Sequence, residues 1–276
     1  MKNTTRHEAN HHVRLRRIEG RHNALVKDLR KAFAHAEPDA EGYCAIEGLR
    51  IIEEAIRSGL KFRAVIFSDS AETKAERLLP QIGAHVETVM LPDELFASVV
   101  PSEAPQGVAA LVRFKTFALD DVLAKSQAGP LLAIVGVQDP GNLGTMLRSA
   151  EAFGVGGVLL GAGTVSHFNA KAVRASAGSV FRVPIAKIQM PDVLAAFRER
   201  GLRLIATSSH KATPLQEATL TGPVAIFVGN EGAGLPRDLL REMDDVVAIP
   251  HSETVESLNA GVAASIVLYE VARQRK

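Results

Sequence analysis

Apolar positions in the first half of the chain alternate between helical spacing and short continuous runs. Apolar residues at helical spacing predict two helices. The first contains Leu25, Val26, Leu29 and Phe33. The second contains Ile46, Leu49, Ile52 and Ile56 and ends at Ser58-Gly59. A buried strand is predicted at 64–67, followed by helices over 71–79 and 92–99 and strands over 84–90 and 107–114. This alternation predicts a small N-terminal α/β domain over residues 21–114.

The second half is more regular. Apolar runs predict strands at 131–137, 157–160, 202–206, 224–228 and 246–249, and helical patterns begin near Asn142 and cover 169–176, 191–200, 236–241 and 255–273. Because strands alternate with helices, the fold class is α/β, with a mostly parallel sheet in a C-terminal domain over 131–276. Residues 115–130 are interpreted as a linker with a short helix at 119–125, and residues 1–20 as a flexible basic leader.

Length and composition limit the function classes. A chain of 276 residues favours two domains. With no Trp and two Tyr, an aromatic platform for stacking bases is not expected to be the main binding device. Cys44 cannot form an intrachain disulfide, which fits a reducing compartment, and it is either a reactive thiol or a small buried side chain. No apolar run is long enough for a membrane span, so we expect a cytoplasmic protein that does not bind membranes, and we expect no metal site.

Positive charge is concentrated at the start of the chain. Residues 1–31 carry a net charge of +6, and the remaining residues carry −5. A basic arm of this kind neutralises phosphates, although a solvated leader has the same composition. The candidate nucleic-acid contacts in and beside this arm are Arg14, Arg16, Arg17, Arg21, Asn23 and Lys27.

Segments that follow strands carry the candidate chemistry, because ligands of parallel α/β sheets bind beyond the carboxyl ends of strands. The first strand of the second half leads into Gln138-Asp139-Pro140-Gly141-Asn142, a tight turn with Asn142 as the expected N-cap of a helix. Arg148 follows within two turns, where the helix dipole does not favour a cation. It is either aimed at a phosphate or a developing oxyanion, or is a surface arginine.

Two later segments are rich in glycine or small residues. The run Gly229-Asn230-Glu231-Gly232-Ala233-Gly234 lets the backbone approach a ligand, but its glycine spacing is not that of a dinucleotide-binding loop, and Glu231 would repel a pyrophosphate. The run Glu256-Ser257-Leu258-Asn259 precedes a helix of small residues that can pack closely. Ser257 and Asn259 either cap this helix or contact a ligand.

In this order and spacing, the three segments resemble the motifs of the SpoU (TrmH) family of RNA ribose methyltransferases. They are Asn142 with Arg148, the loop from Gly229 to Leu235, and Ile249-Pro250 with Glu256-Ser257-Leu258-Asn259. The resemblance covers about residues 130–273. Arg21-His22-Asn23, Glu47-Gly48 and Pro105-Gln106-Gly107 more loosely resemble the RNA-substrate-binding domain that often precedes this catalytic domain.

The resemblance implies a C-terminal trefoil knot, S-adenosylmethionine (SAM) as cofactor, a site completed across a homodimer, and methylation of a ribose 2′-hydroxyl in RNA. Carried over by position, the catalytic residues are Arg148, Asn142, Glu231, Ser257 and Asn259. The cofactor-binding residues are Thr207, Gly229, Asn230, Gly232, Ile249, Leu258 and Asn259. His251 stands where the family usually has Met, and Glu253 stands where it usually has Gly. Both departures bear on the affinity that the chain is expected to have for SAM.

Because a guanidinium is normally protonated, we expect Arg148 to stabilise the developing alkoxide or anchor the adjacent phosphate; a general-base role would require strong desolvation or a phosphate relay. The two-domain layout favours large-subunit (23S) ribosomal RNA as the substrate. The alternatives are a transfer-RNA 2′-O-methyltransferase and a non-catalytic RNA-binding protein that keeps the fold. A dinucleotide-dependent enzyme is disfavoured by the glycine spacing.

Overall fold

The computed structural model describes residues 15–190, 192–209, 212–252 and 254–275, which form two compact units. The first unit contains the chain up to Lys115 together with residues 168–181, and the second contains 116–167 and the chain from Arg182 onward. The elements are, in order, β1 Arg16–Arg17, α1 Ala24–His35, β2 Tyr43–Glu47, α2 Leu49–Arg57, β3 Lys61–Ser68, α3 Glu72–Leu78, β4 Glu87–Leu91, α4 Asp93–Ala97, β5 Val108–Arg113, α5 Leu119–Leu123, β6 Leu131–Ile134, α6 Pro140–Ala152, β7 Gly157–Leu160, α7 Ala170–Ala175, β8 Ile185–Lys187, α8 Asp192–Glu199, β9 Arg203–Ser208, β10 Thr213–Pro214, β11 Val224–Val228, α9 Arg237–Leu240, β12 Asp245–Ala248 and α10 Ala260–Gln274.

The first unit is built on a five-stranded mixed sheet in the order β1-β4-β3-β5-β2. Strands β1, β4 and β3 are parallel, and β5 is antiparallel to both β3 and β2. Helix α1 packs Leu25, Val26 and Leu29 into the core on this sheet, and the Asn23 side chain begins the helix by accepting from Leu25 N at 2.9 Å. The predicted small α/β domain is therefore present.

Two expectations for the first unit are wrong. Residues 16–17 pair with β4, and Ile18 is buried in the core, so this part of the predicted leader is ordered structure; residues 1–14, including Arg14, lie outside the described residues. Ile46 belongs to strand β2 and not to a helix. The chain changes from strand to helix at Gly48, whose φ of +103° is accessible to glycine at little cost.

Residues 168–181 return to the first unit from within the second half of the sequence. Phe114 packs edge-on against Phe168 and Phe181, with both centroid distances at 5.1 Å, and Arg174 lies 3.3 Å from the Glu47 carboxylate. A division of the chain at a single position would therefore assign this segment to the second unit, although it packs in the first. The residues predicted as a linker also differ, because Val122 and Leu123 of α5 are buried in the core of the second unit.

The second unit is built on a seven-stranded sheet in the order β10-β12-β9-β11-β6-β7-β8, and all of its described strand pairs are parallel. The fold class is therefore the predicted one, although the sequence pattern predicts neither β8 nor β10. Its central strands are buried on both faces, as their continuous apolar runs require. Helices α6 and α10 pack closely: a Cβ on Gly261 would lie 3.1 Å from Thr145 Cβ. Among the described residues, every helix is too short or too polar to cross a membrane.

Candidate active site

The three motif segments meet at the carboxyl edge of the parallel sheet. They follow β6, β11 and β12, and β11 lies between β6 and β9 in the sheet. Parallel strands bring their carboxyl ends to one edge, so segments about 90 residues apart along the chain converge there. This is the site position that the sequence predicts.

The loop after β11 folds back on itself. Asn230 and Gly234 exchange two backbone hydrogen bonds of 3.0 Å, and the Asn230 side chain accepts from Gly232 N and Ala233 N, each at 3.0 Å. A Cβ on Gly229 would lie 2.2 Å from the Gly234 carbonyl carbon, so any larger residue would open the turn. The Asn230 amide also donates to Gly136 O at 2.8 Å, which ties this loop to the segment after β6.

A chain of polar side chains links all three segments. Asn259 Nδ2 donates to Asn142 Oδ1 at 2.8 Å, and Asn142 Nδ2 donates to Glu231 Oε1 at 3.1 Å. Asn142 is buried, so each of its side-chain groups needs a partner, and Asn259 and Glu231 provide one donor and one acceptor. All five predicted catalytic residues lie on these segments, and three of them, Asn142, Glu231 and Asn259, are in direct contact.

The Glu231 carboxylate is held by amide groups. Its two oxygens also accept from Asp139 N at 3.2 Å and Gln138 N at 3.3 Å. Partial burial alone raises the pKa of Glu231, but hydrogen bonds from Asn142 and from the backbone N–H groups of Glu231, Asp139 and Gln138 outweigh it and hold the pKa below its usual value. Glu231 therefore keeps its negative charge at neutral pH.

The N-cap of α6 differs from the expectation. The sequence pattern predicts Asn142, but the cap is Asp139, whose side chain accepts from Asn142 N at 2.9 Å. Pro140 at the first helical position is the signal that identifies the preceding residue as the cap. Because Asp139 caps the helix, the Asn142 side chain remains available for Glu231. Asn259 both caps α10, accepting from Val262 N at 3.1 Å, and contacts Asn142.

A cavity opens beside this network, between the ends of β9, β11 and β12 and the start of α10. The predicted catalytic residues Glu231 and Ser257 line it. All the predicted cofactor residues except Asn259 line it as well: Thr207, Gly229, Asn230, Gly232, Ile249 and Leu258. Thr207 lies within β9 and donates from Oγ1 to Phe227 O at 3.1 Å. Apolar side chains that the motifs do not reveal complete the wall, among them Leu235, Val247 and Val267.

The segment after β12 contains both departures from the family pattern. His251 lines the cavity, and its Nδ1 lies 2.7 Å from Ile249 O, so this nitrogen carries the proton that is donated. Glu253 lies outside the described residues.

Arg148 is not part of this cavity. It lies on α6 with an exposed side chain, and within the described part of the chain no hydrogen bond or ion pair engages it. One chain therefore assembles the predicted polar and cofactor residues but leaves the predicted catalytic arginine unpaired.

The candidate RNA-binding residues have different environments. Arg16 forms an ion pair with Glu87. Arg17 forms a bidentate ion pair with Asp69, in which both N···O distances are 2.7 Å, so the charges of the two arginines are partly neutralised. Asn23 is occupied as a helix cap. Arg21 and Lys27 are exposed and make no ion pair among the described residues.

Comparison with known proteins gives a consistent result. Residues 130–269 match the model of the SpoU rRNA Methylase family, and residues 23–110 match the MRM3-like substrate binding domain. The chain is 33% identical to the 23S rRNA (guanosine(2553)-2′-O)-methyltransferase RlmP of Bacillus subtilis, over 93% of this chain and 99% of that protein.

Solved structures agree. The SpoU methyltransferase AviRb from Streptomyces viridochromogenes, in complex with the cofactor AdoMet (SAM), superposes with a TM-score of 0.78 at 27% identity, covering 91% of this chain and 98% of AviRb. A structure of an RNA 2′-O ribose methyltransferase gives a TM-score of 0.78 at 29% identity and covers 94% of this chain and 99% of that one.

Proposed function

The chain belongs to the SpoU rRNA methylase family, and from this premise we propose that it transfers a methyl group from SAM to a ribose 2′-hydroxyl in large-subunit ribosomal RNA. The protein is a SAM-dependent RNA 2′-O-methyltransferase. The large subunit as target is supported by the similarity to RlmP, which extends over both domains. A ribosomal substrate also favours the cytoplasm as the place of action.

Two of the motif segments line one cavity, and Asn142 joins the third segment to them through its hydrogen bonds with Glu231 and Asn259; this arrangement is the observation that supports this function. The cavity suits SAM, because its wall combines apolar side chains with the hydroxyls of Thr207 and Ser257 and with glycine backbone that a ligand can approach closely. A carboxylate that stays ionised lines the same cavity and complements a cationic ligand. When bound, SAM supplies an electrophilic methyl group on a positively charged sulfur.

The residues of the chain then have separate tasks. Gly229, Ile249 and Leu258 would hold the cofactor, and the Glu231–Asn142–Asn259 network would fix the loops that surround it. Arg148 would stabilise the negative charge that develops on the ribose oxygen as it loses its proton, or anchor the neighbouring phosphate. A protonated guanidinium suits both tasks.

We further propose that Arg148 completes the site of a second copy of the chain in a homodimer. Exposed apolar side chains lie at i, i+4 and i+7 on α10: Val262 is 46% exposed, Ile266 36% and Tyr269 55%. Helix α6, which carries Arg148, packs against α10 through a 2.6 Å Ser149–Ser265 hydrogen bond and an edge-on Phe153–Tyr269 contact. An apolar strip of this kind suits a self-complementary interface between two copies.

Methylation is tested with in vitro transcribed 23S rRNA and radiolabelled SAM, and the modified ribose is located by its resistance to alkaline hydrolysis. We expect label in 23S rRNA, with 16S rRNA and transfer RNA as comparison substrates. Isothermal titration with SAM, NAD and ATP should show binding of SAM. Failure to bind SAM at millimolar concentration would disprove the methyltransferase assignment, and label confined to transfer RNA would disprove the ribosomal target.

Subunit mixing tests the homodimer and the position of Arg148 together. Arg148→Ala lacks the arginine, and Thr207→Arg places a large cationic side chain in the cavity and blocks it. If Arg148 acts in the partner's site, co-refolded mixtures of the two inactive variants regain part of the activity, because one site per mixed dimer has both an intact cavity and Arg148. Mixtures that stay inactive, although both variants are dimeric by light scattering, would show that Arg148 acts within its own chain.

A further inference from the structure

Helix α1 presents a positively charged outer face. Leu25, Val26 and Leu29 are buried in the core of the first unit. Lys27, Arg30 and Lys31, here called the cationic face, lie on the opposite side, because a turn of 100° per residue places them within an arc of about 100°. All three side chains are exposed, and Ala34 continues the same side of the helix.

Six arginines of the first unit make ion pairs, whereas the three cations of the cationic face make none among the described residues. Arg16, Arg17, Arg57, Arg63, Arg77 and Arg174 all make ion pairs with carboxylates. Within the described ranges, no carboxylate pairs with Lys27, Arg30 or Lys31. The acidic residue of α1, Asp28, is engaged by Arg63 at 2.7 Å and does not neutralise them.

Local stability does not account for this cluster. Lys27 lies near the start of the helix, where the dipole disfavours a cation. Lys27 and Lys31 are like charges at i, i+4, which weaken a helix slightly. The stability of α1 therefore gives no reason for these three charges to lie together on one face.

We propose that the cationic face of α1 binds the phosphodiester backbone of the RNA substrate. The inference rests on the proposed function, because that function makes RNA the anionic partner. Two lysines and one arginine on a helix surface attract phosphates through their positive charge, and the face carries no aromatic side chain on which a base would stack. The contact is independent of sequence, so it positions the RNA and does not select the nucleotide.

The test is the salt dependence of RNA binding. The triple variant K27E/R30E/K31E is compared with the full-length parent by filter binding to a mixed-sequence single-stranded RNA of 40 nucleotides over a series of KCl concentrations. Each lost phosphate contact lowers the slope of log K against log salt by about 0.7, so we expect a decrease of about 2 in slope and at least tenfold weaker binding at low salt. Isothermal titration of the variant with SAM should give the affinity of the parent.

A matched control has the same change in net charge on the same unit. Arg50, Lys61 and Lys115 are also exposed and have no ion pair among the described residues, but they lie on separate segments of the chain. R50E/K61E/K115E should weaken RNA binding less than threefold. A second variant, K27R/R30K/K31R, keeps the charges and should retain the parent affinity, because sequence-independent binding to the RNA backbone depends mainly on the number of positive charges.

The outcomes separate this inference from the proposed function. Equal losses in the two charge-reversal variants, or unchanged binding by K27E/R30E/K31E, would overturn the cationic face as an RNA site, even if the parent methylates 23S rRNA. A selective loss in K27E/R30E/K31E supports it, even if the methylated RNA is not ribosomal. Melting temperatures within 2 °C of the parent would show that the helix still folds.

Discussion

The two units contain the same kind of charges in opposite arrangements. In the first unit, the Glu47 carboxylate is 2% exposed and meets Arg174 at 3.3 Å and Ser102 Oγ at 2.6 Å. In the second, Glu231 is held by amide groups, and Arg148 has no partner among the described residues. A carboxylate and a guanidinium that neutralise each other connect chain segments. When they stay apart, their charges remain available to a ligand.

This difference separates structural from functional charge within one chain. Glu47 joins β2 to the loop before β5 and to the returning helix α7, and its burial makes these contacts necessary. Glu231 joins three loops but faces a cavity, and hydrogen bonds hold its pKa low without a cation. Substitutions at the four positions should therefore divide into those that unfold the protein and those that inactivate it.

Replacement of Arg148 should have the largest effect on the reaction. We expect Arg148→Ala to lower kcat by about 10²- to 10³-fold, the usual loss of a group that stabilises a developing oxyanion. The melting temperature should not change, because the side chain is exposed and unpaired. Single-turnover methylation of 23S rRNA and thermal unfolding measure the two quantities.

Arg148→Lys is the informative control. It keeps the charge but loses the planar donor fork, and we expect it to recover less than a tenth of the activity. Near-normal turnover in this variant would rule out a specific role for the guanidinium. A large drop in melting temperature in Arg148→Ala would show instead that the arginine has a structural partner.

Replacement of Glu47 should have the largest effect on stability. Glu47→Ala removes the partner of Arg174 and Ser102, and loss of one member of such a pair costs about 2–4 kcal/mol. Denaturant unfolding followed by circular dichroism measures this, and SAM affinity per folded molecule should remain that of the parent. Glu87→Ala is the matched control: its exposed pair with Arg16 should contribute about 0–1 kcal/mol. Equal losses in both variants would contradict a special role for Glu47.

The long apolar runs and the motif order predict most of the second unit. The strands at 157–160 and 224–228 have the predicted bounds, because a strand buried on both faces is a continuous apolar run with turn residues on either side. Helix α10 begins at Ala260 and not at 255, since the residues before Asn259 have helical composition but the cap decides the start.

Other features depend on contacts that a local pattern does not contain. The helical pattern at 169–176 is correct, but its packing in the first unit depends on Phe114, which lies more than 50 residues earlier in the sequence. The sequence pattern does not predict strand β2, because its apolar residues continue the helical spacing of α2 across Gly48. In the site, the residues of the motifs are predicted, whereas the contacts among Glu231, Asn142 and Asn259 are visible only in three dimensions.

Glu231→Gln tests whether its charge acts on the ligand. The sulfur of SAM is positively charged and that of the product S-adenosylhomocysteine is neutral, so a nearby carboxylate favours SAM. We expect Glu231→Gln to weaken SAM binding about five- to tenfold, roughly 1 kcal/mol at the effective dielectric of a partly exposed site, and to leave binding of the product within twofold. Calorimetric titration with both compounds provides the measurement. Equal losses for both would assign Glu231 to loop structure alone.

The pH dependence of stability should show the smallest effect and is the most direct measure of how Glu231 is held. Its pKa in the folded protein is depressed, so its contribution is complete above the unfolded value of about 4.3 and is lost as pH falls through the lower folded value. The stability difference between parent and Glu231→Gln should thus be constant from pH 7 to pH 5 and should shrink below pH 4. Thermal unfolding at half-unit pH intervals resolves this trend. A stability difference that grows as pH falls would mean that the folded protein favours the protonated carboxyl of Glu231. In that case Glu231 would not present a permanent negative charge to a ligand, and it would no longer differ from Glu47, whose charge is neutralised by Arg174.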